Sequence, residues 1–218
     1  MRTEKLLIIL DILKKEYSSW KAPIVTYITN SRGTPYKILI STLLSQRTKD
    51  ETTAGAIDRL FSDARTPAEM VRMDEERIRK LIYPVGFYKV KASRIIEISK
   101  ILMEKYGSDV PDEMDELLKL PGVGRKTANL VITLGFHKPG ICVDTHVHRI
   151  SNRWGYVRTK KPEETELRLM EKLPREWWIS YNDILVAFGQ TYCRPASPLC
   201  SICPVQKYCP RIGVVKHR

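Results

Sequence analysis

The stretch "LPGVGRKTANLVITLGF", residues 120–136, places a proline and two glycines directly before an apolar segment that begins with two basic residues. Apolar periodicity predicts one helix over residues 111–120 and a second helix that begins near Arg125. The residues "PGVG" between them are too few for anything but a tight turn. The sequence therefore predicts two helices joined as a hairpin.

The hairpin turn has the composition of an anion-binding site. Gly122 and Gly124, on either side of Val123, are expected to adopt positive φ angles and to let another backbone approach closely. The N–H groups at the start of the second helix, together with Arg125, favour a phosphate group. The alternative is an ordinary helix connection that ends in a glycine cap. Because Arg125 and Lys126 follow at once in a basic protein, we interpret the turn as a phosphate-binding site.

Lys126 lies in the first turn of the second predicted helix and shares a narrow sector with Asn129 and Thr133. The remaining surface of this helix is apolar, so we expect the helix to be buried and its polar sector to line a cleft. The positive helix end, Arg125 and desolvation would disfavour the ammonium form and make the amine a nucleophile. Alternatively, Lys126 extends to solvent and contacts phosphate. The helix alone favours this second interpretation.

Helical periodicity and capping signals recur along the chain, and no segment alternates convincingly with a period of two. Thr66, Pro67 and Glu69 have the pattern of a capping box, and the residue before Pro84 disfavours helix. Further helices are predicted over residues 5–17, 36–44, 52–61, 66–81, 91–105, 145–154, 162–173 and 181–192. The sequence predicts an all-α fold with short connections.

The net charge indicates a class of ligand. The chain has 37 Lys and Arg against 25 Asp and Glu, and the excess of +12 is spread along the sequence. Such a surface favours a polyanion, although the charge alone fits a merely soluble basic protein equally well. The apolar run at residues 6–10 is too short for a signal peptide or a membrane span. We expect an intracellular protein without a membrane anchor, and the scarcity of Asn and Gln favours a thermophilic source.

Four cysteines crowd into the C-terminal region with the pattern C-x6-C-x2-C-x5-C. They are Cys193, Cys200, Cys203 and Cys209. Short spacing in an intracellular chain is typical of thiolate ligands and not of disulfides. Zinc and a four-iron four-sulfur cluster both accept four cysteines, and the spacing decides poorly between them. The fifth cysteine, Cys142, lies in the apolar segment "GICV" and is interpreted as a small core residue.

Several motifs occur together in a recognisable order. They are "LIYPVGFYKVKA" at 81–92, "LPGVGRKTAN" at 120–129, "VDTHVHR" at 143–149, "DILVAFGQTYC" at 183–193 and the cysteine spacing. Together they resemble the endonuclease III family of base-excision-repair DNA glycosylases, which belongs to the helix-hairpin-helix superfamily. The resemblance covers roughly residues 20–210 and is far more specific than any one of the motifs.

The resemblance implies two α-helical domains, with the DNA and the lesion pocket between them. One domain, residues 23–135, is a helical barrel that contains the hairpin at about 111–136. The other domain joins residues 1–22 to residues 136–218 and holds a four-iron four-sulfur cluster in the loop 193–209. The resemblance therefore selects iron and sulfur over zinc at the four cysteines.

The resemblance also implies catalytic roles for Lys126, as the nucleophile, and for Asp144, as its carboxylate partner. From the residues alone, an N-cap at the helix predicted over 145–154 explains Asp144 about as well. A carboxylate near the sugar would stabilise the positive charge that develops as the glycosidic bond breaks, and the resemblance favours that role. His146 is predicted to be a DNA contact or a residue that supports the site.

The loop after residue 45 departs from the family pattern. The family has "LLS", any residue and then a glutamine that fills the gap left by the extruded nucleotide. Here Gln46 comes one position early and Arg47 stands in the expected place. Both are predicted DNA contacts, and the sequence leaves open which one enters the duplex or whether both are solvated.

The predicted function is a base-excision-repair DNA glycosylase and abasic-site lyase that acts on oxidised pyrimidines through a lysine Schiff base. The expected partner is double-stranded DNA with damaged bases or abasic sites, bound by a monomer. One alternative is a mismatch-directed thymine, uracil or adenine glycosylase, although such relatives commonly lack a lysine at the position of Lys126. A second alternative is a non-catalytic DNA-binding module with a structural metal.

Overall fold

The computed structural model of the chain describes residues 1–20 and 33–218. Its α-helices, labelled here in chain order, are α1 (Thr3–Tyr17), α2 (Pro35–Ser45), α3 (Asp50–Asp63), α4 (Pro67–Arg72), α5 (Glu75–Ile82), α6 (Tyr88–Tyr106), α7 (Met114–Leu117), α8 (Arg125–Leu130), α9 (Thr145–Arg153), α10 (Pro162–Lys172) and α11 (Trp178–Thr191). The described residues contain no strand, and none of their helices is long and apolar enough to cross a membrane. The predicted all-α class is confirmed.

The chain divides into two compact units, each with its own hydrophobic core. Within the described residues, the hairpin unit comprises residues 33–138, and the terminal unit comprises residues 1–20 and 139–218. The predicted domain boundary between residues 22 and 23 lies outside the described residues.

The hairpin unit is built around α2. This helix is apolar on nearly every face, and eight of its eleven residues are buried. It packs against α3, α6 and α8, so it has no solvent-facing side of the usual amphipathic kind. One buried polar contact crosses the core, where the Tyr36 hydroxyl lies 2.7 Å from Ser99 Oγ. The C-terminal end of α2 therefore fixes the start of the loop at residues 46–48.

In the terminal unit α1 packs on α11, although 160 residues lie between the two helices in sequence. The buried face of α1 consists of leucine and isoleucine at helical spacing, from Leu6 to Leu13. The largest fully buried side chains of this core are aromatic, and they are Trp154, Tyr156, Tyr181 and Phe188. The N-terminal helix and the cysteine-rich C-terminal region therefore share one core.

The predicted helix over residues 66–81 is wrong as a single element. The capping box at Thr66 is confirmed, with both of its hydrogen bonds to Glu69 formed, but α4 ends at Arg72. Met73 and Asp74 are extended, and α5 then begins with two glutamates, whose negative charges favour a new helix N-terminus. α5 ends at Ile82, close to the predicted position.

The predicted helix over residues 111–120 is reduced to the single turn α7. The two carboxylates before this turn form ion pairs with Lys138, whose ammonium lies 2.9 Å from Asp112 Oδ2 and 2.7 Å from Glu113 Oε1. Glu113 is extended, and helix formation starts only after it. The first arm of the hairpin is therefore mostly irregular chain, while the other predicted helices are present with small shifts at their ends.

Candidate functional site

The hairpin turn uses its two glycines in different ways. Gly122 has φ of +76°, a left-handed conformation that favours glycine. Gly124 has φ of −98° and ψ of 175°, so the expectation of a positive φ at this position is wrong. Apart from Gly124 itself and its two chain neighbours, no atom of the described residues lies within 4 Å of the point where a Cβ on Gly124 would stand. Gly122 therefore shapes the turn, whereas Gly124 leaves an open face at the start of α8.

The start of α8 presents two basic side chains to solvent. The first hydrogen bond of the helix runs from Ala128 N to Gly124 O at 2.9 Å, so earlier N–H groups have no partner within the helix. Arg125 and Lys126 are both exposed, while Val123 is buried and anchors the turn. The arrangement has the cations and backbone donors of an anion-binding site.

Lys126 differs from the other members of its sector. Asn129 and Thr133 are buried, at 4% and 3% exposure, and only the lysine is open to solvent. The expected desolvation of Lys126 is therefore wrong, and the alternative of a lysine that extends to solvent agrees with the structure. Helix α8 itself is buried over its next turn, from Thr127 to Leu130, and continues as a π-helix over Val131–Gly135. Lys126 is thus an exposed side chain at the start of a firmly packed helix.

The loop 46–48 contacts the hairpin directly. Gln46 Nε2 donates to Gly122 O and to Thr127 Oγ1, both at 3.2 Å. Arg47 is exposed, has φ of +53°, and holds its guanidinium carbon 5.6 Å from the ring centre of Phe87. The Gln46 amide is therefore engaged within the unit, whereas the Arg47 side chain is presented to solvent on an aromatic support.

Lys91 is a functional candidate that sequence reasoning missed. Its side chain is buried, and its Nζ donates to Leu44 O at 2.8 Å and to Gln46 O at 2.6 Å. Burial lowers the pKa of Lys91 to about 8, and the nearby Arg94 charge acts in the same direction. The segment "YKVKASR" contains two lysines, Lys89 and Lys91, and no spacing rule distinguishes the buried Lys91 from the exposed Lys89.

Asp144 is the N-cap of α9, as the capping interpretation predicted. Its Oδ1 accepts from His146 N at 2.8 Å and from Val147 N at 2.9 Å. The His146 ring lies beside Arg149, whose Nη2 is 3.1 Å from Nδ1, and a Cβ at Gly189 would stand 2.3 Å from that same nitrogen. The cap fixes the carboxylate at the start of α9, and His146 is packed against α11.

The four C-terminal cysteines line one cavity of the terminal unit, together with aromatic and aliphatic side chains such as Trp154 and Phe188. None of the four is in a disulfide. Burial raises the pKa of Cys203 to about 12, and the neighbouring cysteine thiols act in the same direction. Hydrogen-bond donors face two of the sulfurs, because Arg153 Nη1 lies 3.4 Å from Cys193 Sγ and Arg211 N lies 3.4 Å from Cys209 Sγ. Burial raises the pKa of Cys209, and the Arg211 N–H opposes that rise.

The four thiols fit a metal centre. They are free and line one cavity, and four cysteine ligands suit either a tetrahedral zinc ion or a four-iron four-sulfur cluster.

Comparison with known proteins agrees with this geometry. Residues 40–175 match the family described as "HhH-GPD superfamily base excision DNA repair protein". Endonuclease III of Thermotoga maritima is 54% identical over 80% of this chain and 82% of its own length. "Endonuclease III homolog 1, chloroplastic" of Arabidopsis thaliana is 40% identical over 93% of this chain, but the match spans only 58% of that longer protein.

A solved structure agrees over nearly the whole chain. It is the "Structure of a Trapped Endonuclease III-DNA Covalent Intermediate: Estranged-Adenine Complex", with a TM-score of 0.85, 34% identity and coverage of 97% of both chains. The sequence matches and the fold therefore point to one group of proteins. The chain belongs to the HhH-GPD superfamily of base excision DNA repair proteins and, within it, to the endonuclease III family.

Proposed function

We propose that this protein is a bifunctional DNA glycosylase and abasic-site lyase that removes oxidised pyrimidines from double-stranded DNA. The observation that carries the proposal is the exposed side chain of Lys126 at the start of a buried helix, directly after the glycine turn. A similar protein has been trapped as a covalent complex with DNA. An accessible amine that can form a covalent bond to the sugar distinguishes a lyase from a glycosylase that uses water.

DNA binding in this proposal depends on backbone contacts and on extrusion of one nucleotide. The open face at Gly124, with Val123 and Arg125 beside it, holds a phosphate group, which positions the duplex without reading its sequence. The damaged nucleotide is flipped out, because its target atom is unreachable within the stack. Arg47 fills the gap that is left. Its exposure supports this role, whereas the Gln46 amide is engaged by the hairpin.

The chemistry divides into base release and strand cleavage. The Lys126 lone pair forms a bond to the sugar C1′, while the C1′–N glycosidic bond breaks and its electrons leave with the base. Asp144 stabilises the positive charge that develops on the sugar. Ring opening gives a Schiff base between Lys126 and the sugar. Loss of a proton from C2′ then expels the 3′ phosphate, so the strand breaks on the 3′ side of the lesion.

The cofactor in this proposal is a four-iron four-sulfur cluster held by Cys193, Cys200, Cys203 and Cys209. When bound, it cross-links the 193–209 segment, whose short loops contribute little core of their own. The terminal unit would then act as the cluster domain, residues 1–22 plus 136–218, and residues 23–135 as the barrel domain. We further propose that the protein acts as an intracellular monomer.

The cluster proposal predicts different effects at two cysteines. Cys200→Ala should lose iron and sulfide and should lower the unfolding temperature of the terminal unit, because one thiolate ligand is removed. Cys142→Ala is the matched control, since Cys142 is a buried cysteine of the same unit that does not line the cavity. It should retain full iron. Stoichiometric zinc without sulfide in anaerobically purified wild-type protein would contradict the proposal.

The hairpin proposal predicts that Gly124→Ala separates binding from folding. A Cβ at this position meets no atom of the protein, and the backbone is extended, so thermal stability should stay close to wild type. The added methyl group would stand where a phosphate approaches, so affinity for any duplex should fall about tenfold at physiological salt. Gel-shift or anisotropy titrations measure this. Unchanged affinity in a normally folded variant would remove the turn from the DNA interface.

The catalytic proposal predicts the behaviour of Lys126→Gln. The variant keeps a similar length and polarity but lacks the nucleophile, so it should bind lesion DNA while losing both base release and borohydride trapping. Lys100→Gln is the matched control, because it removes an exposed lysine of the same unit from α6. The assay uses duplexes that carry thymine glycol, uracil opposite guanine or an abasic site. Trapping at the wild-type rate by the Lys126→Gln variant would make Lys126 a phosphate contact only.

Asp144→Asn completes this test, because asparagine also caps helices well and the fold should be preserved. Base excision should fall as the negative charge is lost, while trapping on a preformed abasic site should survive in part, since no glycosidic bond has to break there. Wild-type base excision by a stable Asp144→Asn variant would assign Asp144 a purely structural role as the N-cap of α9.

A further inference from the structure

The buried Lys91 ammonium contacts the loop that carries Arg47. Its side chain is 3% exposed, and its partners within the described chain are Leu44 O, Gln46 O and, at 3.4 Å, Thr48 Oγ1. All three are backbone or hydroxyl oxygens, and none is a carboxylate. A buried cation without an opposite charge is costly to the fold. Ion pairing therefore does not explain why a lysine is buried at position 91.

The contacts of Lys91 converge on the backbone of one residue. The Gln46 carbonyl belongs to the peptide group that joins Gln46 to Arg47, so the ammonium holds the chain immediately before Arg47. Arg47 has φ of +53°, a conformation that non-glycine residues adopt only when their surroundings impose it. Two restraints act from the N-terminal and C-terminal sides of this residue, and Lys91 provides the first.

The second restraint comes from Gly86. A Cβ at Gly86 would stand 2.6 Å from Arg47 O, so the two backbones are packed closely. Gly86 N also donates to Thr48 Oγ1 at 3.1 Å. The next residue, Phe87, has φ of +59° and 61% exposure, and its ring supports the Arg47 guanidinium. Lys91 and Gly86 thus fix a cation and an aromatic ring side by side at the surface.

We propose that Lys91 is a positioning residue, which holds the loop 46–48 in the conformation that presents Arg47, supported by Phe87, to DNA. The inference rests on the proposed role of Arg47 in the duplex gap. Lys91 is buried and does not touch DNA itself. Release of its contacts would let the loop sample other conformations, and DNA would have to order the loop on binding. The competing explanation is that Lys91 only stabilises the C-terminal end of α2.

The first measurement is the affinity of Lys91→Met for a duplex with a tetrahydrofuran abasic-site analogue. Methionine keeps the apolar stem and removes the ammonium, so the affinity should fall about tenfold through loss of preorganisation. The slope of log affinity against log salt should stay at its wild-type value, because no phosphate contact is lost. Tyr36→Phe is the matched control: it removes a buried hydrogen bond of the same unit far along α2 and should weaken binding less than about twofold.

A double-mutant cycle with Arg47→Met tests whether Lys91 acts through Arg47. In the Arg47→Met background, Lys91→Met should weaken binding less than about twofold, because the residue that it positions is already absent. Thr48→Val serves as a second route to the same loop if Lys91→Met folds poorly. It removes the hydroxyl that lies between Lys91 and Gly86, and it should reproduce both the loss and its dependence on Arg47.

The outcomes separate this inference from the proposed function. Three results for Lys91→Met would overturn the positioning role. They are equal losses of affinity in both Arg47 backgrounds, a salt slope lower by about one, and an affinity as high as that of Tyr36→Phe. All of these results are equilibrium binding measurements and do not depend on catalysis. A wild-type protein that binds the duplex but traps no abasic site would refute the lyase proposal and leave the Lys91 cycle readable.

Discussion

The burial of α8 is the constraint on which the site depends. Residues 127–130 are all buried, so the helix cannot rotate or shift without exposing apolar surface. Lys126 stands one residue before this buried stretch and is exposed. The same packing that stabilises the hairpin unit therefore fixes the start of the lysine side chain, while the side chain itself is exposed. A nucleophile needs both properties, because a misplaced amine loses rate and a buried amine cannot reach the sugar.

The hairpin and the loop 46–48 form one connected surface of the hairpin unit. Gln46 links them through Gly122 and Thr127, and Lys91 links the same loop to α6. The effects of substitutions at different points of this surface should therefore not be additive, since neighbouring residues that share partners are rarely independent. Within this surface, the Gln46 side chain donates hydrogen bonds to the hairpin, and the Arg47 side chain is exposed to a ligand. The exposed Arg47 places a basic side chain at the point proposed to enter the duplex.

Local patterns predicted much of this structure. The helical class, the capping box at Thr66, the N-cap at Asp144 and the shared cavity of the four cysteines follow from residue types at short spacing. Two predicted helices differ from the structure. The break at residues 73–74 is invisible to periodicity, because the apolar pattern continues across it. Before residue 114, Asp112 and Glu113 form ion pairs with Lys138, a contact distant in sequence that periodicity cannot show.

Other features were beyond sequence reasoning because they depend on packing. Glycine at position 124 suggested a positive φ, but the residue is extended. The lack of a side chain there instead leaves open space at the start of α8. Lys91 resembles its solvated neighbours in sequence, and only the meeting of α6 with the end of α2 makes it a buried donor. For Lys126, by contrast, the helix alone favoured a side chain that extends to solvent, and the structure agrees.

The attachment point of the DNA tests the central claim most directly. A borohydride-trapped complex with abasic-site DNA, digested with a protease and a nuclease, would be measured by fragment mass spectrometry. The account predicts a sugar remnant on Lys126 within the fragment that contains the hairpin. Attachment to another amine, such as Lys91 or the N-terminus of Met1, would contradict it.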